Sequence, residues 1–321
     1  MSKPFRFGVQ SFNAESGEAW AGQARRAEEL GYSAFHLADH LIGPGPALER
    51  SNHPIQNLAA IPAMAYAAAV TSTIHIGCRV FCIDYHNPVV LVKSAMTIDM
   101  LSGGRLEFGL GAGWLKDEYA AIGLRLDPPA QRIDRLADVI EGVKAFRGEG
   151  HADVANGTLN WNEFEGLPKP VSKPPIMIGG GSPRVLRLAG READIVSLNF
   201  NNRAGIIGPD GVQKSTEEET RRKLRWIREG AGERFDDLEI EIGAYFTFVV
   251  DDPAPVLAGF AQMFGVDEAE MARHPHMLAG GVDAICDELE RRREEFGISY
   301  FTVGADTMDA FAPVVARLAG N

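Results

Sequence analysis

Short apolar runs alternate along the chain with longer stretches of helical period. Phe5-Arg-Phe-Gly-Val-Gln-Ser11 reads as a strand, and residues 15–31 as a helix: Ala19, Trp20, Ala24, Ala27 and Leu30 recur at helical spacing and Gly31 stops the run. Residues 32–38 read as a second strand, followed by a Gly43-Pro-Gly-Pro46 loop and a helix over 58–72. A third strand over 74–83 and a helix over 88–101 come next, then a strand over 105–110 and a helix over 131–147. The rhythm breaks over residues 148–175, where polar composition and the prolines Pro168, Pro170, Pro174 and Pro175 predict a surface excursion. It resumes with a strand at 176–178 and a helix opened by Ser182-Pro183, an N-cap residue followed by proline at the first helical position. A strand over 193–198, a polar loop over 199–214 and a charged helix over 216–229 follow. The pattern then predicts a strand over 239–249, a helix over 256–273, a loop over 274–281 and a helix over 282–296. An eighth strand over 298–303 and a closing helix to Leu318 complete it.

Eight such βα units without a break in composition predict an α/β fold: one (β/α)8 TIM-barrel domain over residues 1–321, with excursions near 148–175, 199–214 and 274–281. A composition of 45% hydrophobic and 24% charged residues rules out disorder. The net charge of −12 argues against nucleic-acid binding, which needs a phosphate-neutralising basic face. No stretch approaches the ~20 apolar residues of a membrane span, and the opening residues carry no apolar run suited to a signal peptide. Cys78, Cys82 and Cys286 are too few for a disulfide framework and fit a reducing compartment, so the expectation is a cytoplasmic protein with no membrane partner.

In such barrels chemistry gathers at the C-terminal ends of the strands. Strand one ends at Gln10-Ser11, strand two at Asp39-His40, and strand three runs through Arg79-Val80. The fourth enters Gly109-Leu-Gly-Ala-Gly-Trp114 and the fifth Gly179-Gly-Gly-Ser-Pro-Arg184. Glycine lets main-chain N–H groups approach a phosphate or a flat ring, and it also serves turns that need positive φ; the first glycine run admits both readings. The second leads into a helix N-terminus, which favours an anion, and Arg184 either adds charge there or sits in solvent. Two glycine-rich strand ends point to a phosphate-bearing cofactor across the barrel mouth. His40, just past strand two, is placed to trade a proton with a bound substrate, whereas His36 falls inside the barrel by strand alternation. Cys78, Cys82, Asp84 and His86 share a parity on strand three but lack the second ligand pair of a closed metal site, so buried thiols and no metal are expected. No G-x-S-x-G, H-E-x-x-H or G-x-x-x-x-G-K-[ST] pattern supports hydrolase, zinc-protease or P-loop chemistry. The Gly109 run lies in the wrong βα unit for a Rossmann nicotinamide site.

The block His86-Asn-Pro-Val-Val-Leu-Val-Lys-Ser-Ala-Met-Thr-Ile-Asp-Met-Leu-Ser-Gly-Gly-Arg-Leu-Glu-Phe-Gly-Leu-Gly-Ala-Gly-Trp114 resembles the signature of the luciferase-like flavin/deazaflavin oxidoreductase superfamily. So do Phe7-Gly-Val-Gln10, Ala38-Asp39-His40, and Pro175-Ile-Met-Ile-Gly-Gly-Gly181 followed by Ala193-Asp194. The likeness covers nearly the whole chain and is greatest to the coenzyme F420-dependent branch, whose boundary with FMN-dependent monooxygenases is blurred in sequence. It implies a homodimeric barrel with the cofactor ring at the C-terminal mouth. It further implies a bulged third strand with a non-proline cis peptide at Arg79-Val80 backing the ring. Cofactor contacts are implied from Gly111, Ala112, Gly113 and Trp114, and phosphate-side contacts from Gly179, Gly180 and Gly181; Asp39 and His40 match the family's ring-edge and proton-handling pair. Two departures stand out: Trp114 replaces the glutamate of the family's sugar-phosphate dehydrogenases, and Pro44 replaces a tryptophan. Both argue against sugar-phosphate or secondary-alcohol oxidation, and Trp114 instead offers a large apolar wall for a planar or hydrophobic substrate.

The resemblance implies an F420-dependent oxidoreductase that passes a hydride to or from a small organic substrate, with His40 as its acid or base. The alternatives are an FMN-dependent two-component monooxygenase and, less favoured, a non-catalytic partner subunit. Residues 199–214 and 274–281 are expected to line the entrance, and Arg221, Arg222 and Arg225 to form a solvated face or steer an acidic group.

Overall fold

The computed structural model describes residues 3–321. Eight parallel strands close into a barrel in sequential order: β1 (Arg6–Ser11), β2 (Ala34–Leu37), β3 (His75–Cys82), β4 (Leu106–Gly111), β5 (Ile176–Gly180), β6 (Ile195–Leu198), β7 (Glu239–Gly243) and β8 (Ile298–Gly304), which pairs back onto β1. The predicted (β/α)8 barrel is therefore the fold. Strand alternation explains the packing. On β1, Phe7 and Val9 face outward into the apolar layer beneath the helices, where Phe7 meets Phe311 edge-on at 5.7 Å. The inward residues of the barrel are largely polar at its N-terminal end. Arg6 pairs with Glu107 and, at 2.6 Å, with Glu239, while His36 and Tyr300 each contact Glu107 at 3.0 Å. Burial alone would raise the Glu107 pKa, but Arg6 and His36 outweigh it and hold that carboxylate well below its usual range. His36 thus sits inside the barrel, as its parity predicts.

Two departures from the sequence pattern lie in the last third. The run predicted as one strand over 239–249 is two: β7 stays in the barrel, and Phe246–Val249 leaves it to pair in parallel with Met277–Gly280. Phe246 and Phe248 pack there against Phe260, giving this ribbon its own small apolar cluster away from the barrel wall. The predicted helix over 256–273 divides into Ala254–Phe264 and Glu268–Ala272, because Gly265 takes a left-handed cap at φ +65° and the Asp267 side chain caps the next helix start. Within the predicted excursion over residues 148–175, Val154–Ala155 and Asn160–Trp161 form a hairpin. Two short helices unforeseen in the sequence, Pro46–Ser51 and Lys116–Ala121, follow β2 and β4 beside the mouth and share the apolar cluster of Ile42, Leu48 and Leu115. Among the described residues no helix is long and apolar enough to cross a membrane.

Candidate active site at the barrel mouth

A cavity of about 1210 Å³ occupies the C-terminal end of the barrel. The residues expected to handle the proton or contact the cofactor line it: Asp39 and His40 from the end of β2, Arg79 and Val80 from β3, Gly111 to Trp114 after β4, and Gly179 to Gly181 from β5. The peptide bond between Arg79 and Val80 is cis, and the β3–β4 register shifts between Cys78 and Phe81, as the resemblance leads one to expect.

His40 owes its orientation to a carboxylate that the sequence reading missed. Its Nδ1 lies 2.7 Å from Glu118 Oε2, an atom that also accepts the Tyr85 hydroxyl at 2.7 Å, while Glu118 Oε1 accepts the Leu41 N–H. Burial would raise the Glu118 pKa, but the hydrogen bonds from His40, Tyr85 and Leu41 lower it below its usual range, so the group is an ionised acceptor. An ionised acceptor fixes the proton on His40 Nδ1 and leaves Nε2, with its lone pair, for the cavity. The signal for Glu118 was present: Leu115, Glu118, Tyr119 and Ile122 recur at helical spacing, which puts an acid on an otherwise apolar stripe. Gln56 braces the same segment, donating to the carbonyls of Ala38 (2.7 Å) and Leu58 (2.9 Å).

The other face of His40 meets His53, ring centroids 3.8 Å apart, with Trp114 6.0 Å from both rings. Burial, and then the neighbouring His40, push the His53 imidazole down to about 3, so it is neutral and acts as an aromatic surface. Pro44 is exposed and does not line the cavity; His53 occupies the flank of His40 instead. Asp39 does not pair with His40: its Oδ2 accepts the Cys82 N–H at 2.9 Å and His86 Nε2 at 2.8 Å. Deeper in the barrel, Arg79 binds Glu241 (3.0 Å), Gln10 (2.8 Å) and Tyr245 (3.2 Å), none of which was given a role from sequence.

The glycines divide by cause. A Cβ on Gly109 or Gly111 would collide with the bulged β3, 2.1 Å from the Cys78 carbonyl oxygen and 2.6 Å from Val80 Cγ2 respectively. Gly113 has φ +71°, and a Cβ there would fall 1.8 Å from Tyr119 Oη. The first glycine run is thus explained by the chain's own packing and turn geometry. Gly180 and Gly181 are likewise crowded by Val185 and by the carbonyls of Asn199 and Phe200. Gly179 is different: a Cβ would sit 3.5 Å from Val80, an ordinary contact, so its bareness keeps the cavity floor open. Pro183 opens the following helix as predicted, but the Ser182 hydroxyl makes no capping hydrogen bond, so the first-turn N–H groups are left without that side-chain cap beside a cavity that Ser182 and Pro183 line. Arg184 adds no charge to this turn; it is half-exposed and paired with Asp134 at 2.5 Å.

Of the two loops expected at the entrance, residues 199–214 supply Asn199 to Arg203 and Ile207, but residues 274–281 contribute nothing to the lining. His274 and His276 are buried instead behind Phe200 and Tyr245, and burial depresses both imidazoles. Cys78 and Cys82 are buried thiols; burial raises Cys78 well above its ordinary value and Cys82 to about 12. Among the described residues no group of three or more His, Cys, Asp or Glu side chains is placed to hold a metal ion. Arg221 and Arg222 pair with Glu217, Glu295, Glu218 and Glu219 on an exposed helix face.

A closed parallel barrel with one large cavity at the strand C-termini, and a carboxylate-backed histidine on its wall, defines a (β/α)8 protein of the class that carries chemistry at its mouth. The chain belongs to the luciferase-like monooxygenase family, whose model matches residues 3–295. It is 27% identical over 209 residues to an F420-dependent glucose-6-phosphate dehydrogenase of Amycolatopsis mediterranei, covering 65% of this chain and 57% of that one. Among solved structures it resembles an F420-dependent secondary alcohol dehydrogenase in complex with an F420-acetone adduct, at TM-score 0.74 and 18% identity over 98% of this chain and 99% of the other. It also resembles the oxygenating constituent of a Pseudomonas putida 3,6-diketocamphane monooxygenase in complex with FMN, at TM-score 0.70 and 16% identity over 99% and 98% of the two chains. Members of this superfamily are oxidoreductases and monooxygenases, some working with F420 and others with FMN.

Proposed function

We propose that this chain is an oxidoreductase that moves a hydride between coenzyme F420 and a small organic substrate. The observation that carries the reading is that the carboxylate-backed His40 and the open floor of Gly179 and Val80 share one cavity. That floor accommodates a flat ring, and the uncapped turn after Gly181 accommodates a phosphate, so the residues present suit a deazaflavin or flavin. Such a cofactor, when bound, supplies the hydride-carrying ring carbon. The protein supplies position and a proton. Val80 and the Gly111-Ala-Gly113 turn would back the ring, and Gly179 to Gly181 would hold the phosphate end. His40 Nε2 takes or gives the proton that balances the hydride, its tautomer held by Glu118. Trp114 and His53 offer aromatic walls, which favour a planar or hydrophobic substrate over a sugar phosphate.

A second reading, an FMN-dependent two-component monooxygenase, draws support from the likeness to the FMN-bound structure. Titration of tryptophan fluorescence with F420 and FMN in parallel separates the two. Saturable binding of F420 alone supports the first, FMN preference with oxygen consumption supports the second, and binding of neither favours a non-catalytic subunit. Under either enzymatic reading, His40→Ala lowers turnover by about 10²–10⁴ with little change in cofactor affinity. Unchanged turnover removes His40 from the mechanism.

A further inference from the structure

Two cavities approach each other across the end of β3. The mouth cavity is bounded there by Asp39, while a second of about 280 Å³ opens on the outside of the barrel beside Asp84, His86, Tyr119, Arg125 and Arg135. Asp39 lines only the inner cavity and His86 only the outer one, yet His86 Nε2 stands 2.8 Å from Asp39 Oδ2. That oxygen also accepts the Cys82 N–H at 2.9 Å, so in the ionised carboxylate it is the imidazole that must donate, through Nε2–H. Nδ1 then carries the lone pair. Among the described residues it has no hydrogen-bond partner, and His86 retains 19% side-chain exposure and lines the outer cavity.

We infer that His86 conducts protons between Asp39 and the outer cavity, so that the site stays in proton equilibrium with solvent while a cofactor and substrate cover the mouth. The inference rests on the functional reading above. A proton taken from water at Nδ1 makes the imidazolium; the Nε2 proton passes to Asp39 Oδ2, leaving neutral His86 with its proton on Nδ1 and a protonated Asp39. The reverse sequence exports a proton, and no electrons move. The charged neighbours do not compete for the ring. Asp84 is held by Arg135 (2.9 and 3.0 Å) and by the Tyr119 hydroxyl (2.9 Å), Arg135 is further paired to Asp127, Arg125 is also paired to Asp127, and Phe81 presents only an apolar edge. His40, Glu118 and Tyr85 form a separate hydrogen-bonded set with no bond to Asp39 or His86. His40 therefore serves the reacting atoms, and the Asp39–His86 pair is a positioning and relay element behind them.

His86→Gln keeps a side-chain N–H for Asp39 but cannot carry a proton, and His86→Ala joins the outer cavity to Asp39. In enzyme loaded with F420 or FMN, whichever binds, His86→Gln is expected to keep cofactor affinity within twofold, to turn over about tenfold or more slower, and to show a larger solvent deuterium isotope effect. His86→Ala should be rescued by added imidazoles in the order of their pKa values and not of their size. A readout independent of turnover is carbethoxylation mapped by mass spectrometry: with cofactor bound, His40 and His53 become protected while His86 stays reactive from outside. Turnover of His86→Gln within twofold of wild type with an unchanged isotope effect overturns the relay and leaves the functional reading intact. So does protection of His86 together with the mouth histidines. If wild type binds neither cofactor, the functional reading fails and the relay falls with it.

Discussion

Glu118→Gln tests the heart of the site with the smallest change in shape. Glu118 accepts three hydrogen bonds, two at Oε2 from His40 and Tyr85 and one at Oε1 from Leu41. Glutamine offers one acceptor and one donor end in their place. If its carbonyl stays opposite the Leu41 N–H, its amide N–H₂ faces His40 Nδ1 and forces the His40 proton onto Nε2, so the cavity meets a donor where it had a base. If it flips, two N–H groups face each other in a buried site, at a cost of about 1–3 kcal/mol. The first arrangement removes the base at neutral pH, while the second keeps the His40 tautomer and shows its cost in stability instead. A mis-set tautomer in a hydrogen-bonded histidine dyad lowers rates by up to about 10⁴ and general-base catalysis is worth about 10²–10⁴, or ~2.7–5.4 kcal/mol of barrier. Loss of charge-assisted hydrogen bonding should cost about 1.5–3 kcal/mol of stability. At ~2.1 cal/mol/K per residue, a chain of 321 residues then loses about 2–4 °C in Tm. The assay pairs steady-state turnover with cofactor titration and calorimetry. Turnover above half of wild type, with the Tm lowered as expected, would refute the need for a charged acceptor behind His40.

The glycines make a paired prediction: Gly179→Ala should leave Tm within about 1 °C and weaken cofactor binding, whereas Gly113→Ala should destabilise by about 2–5 kcal/mol, because it adds left-handed strain to a collision with Tyr119. Acid should unfold the protein through its buried histidines. Burial pushes His274 down to about 4, so below pH 6.5 the unfolded chain takes up a proton that the native one refuses, and stability falls as pH drops from about 6.5 to 4. Denaturant titration at pH 7 and 4.5 should differ by about 2–3 kcal/mol from this group, and His274→Asn should flatten that slope. On the alkaline side burial pushes Lys223 down to about 8, its Nζ bonded to the Asn199 carbonyl at 2.7 Å. There the native state loses its proton first, so stability rises between pH 8 and 10.5, and Lys223→Met should remove that rise.

The barrel was legible because its signal is repetition: eight apolar runs, each followed by a helix period, survive errors of two or three residues at every boundary. What the pattern could not carry was the fate of residues 239–281. Alternation runs on through Ala244 and Tyr245, and only the aromatic cluster of Phe246, Phe248, Phe260 and Phe264 shows that the chain has left the barrel. The site was legible where residues sit at strand ends, since topology brings those ends together whatever the loops do. Glu118 and His53 escaped because they arrive from the segments after β4 and β2, whose return to the mouth is set by packing of the helices Pro46–Ser51 and Lys116–Ala121 and not by any strand period. The Gly-x-Gly-x-Gly run stayed open between two readings for a related reason: a bare glycine looks the same whether it makes way for a ligand or for a neighbouring strand, and at Gly109 and Gly111 a neighbour is the bulge of β3.

That bulge ties the polar core to the mouth. Arg79 is fully within the barrel, and its guanidinium reaches β7 through Glu241, β1 through Gln10 and the chain beyond β7 through Tyr245, while Gln10 Nε2 returns to the Arg79 carbonyl at 3.3 Å. A buried ion pair of this kind adds little net stability over an apolar pair of equal volume, but losing one partner costs about 3–5 kcal/mol, so it acts chiefly on which arrangement is allowed. Here it clamps the strand one residue before Val80, which projects between Gly111 and Gly179 and sets the level of the cavity floor. Val80 packs against the small buried cluster of Ala34, Met177, Ile195 and Tyr300, and Tyr300 is held in turn by Glu107. The two polar layers of the barrel thus fix the height and tilt of the surface on which a ring would lie, and His40 meets that surface from β2 with its own carboxylate behind it. Position at the mouth is inherited from charge in the core, which is why polar residues line the axis of a barrel whose outer face is packed with phenylalanine, valine and isoleucine.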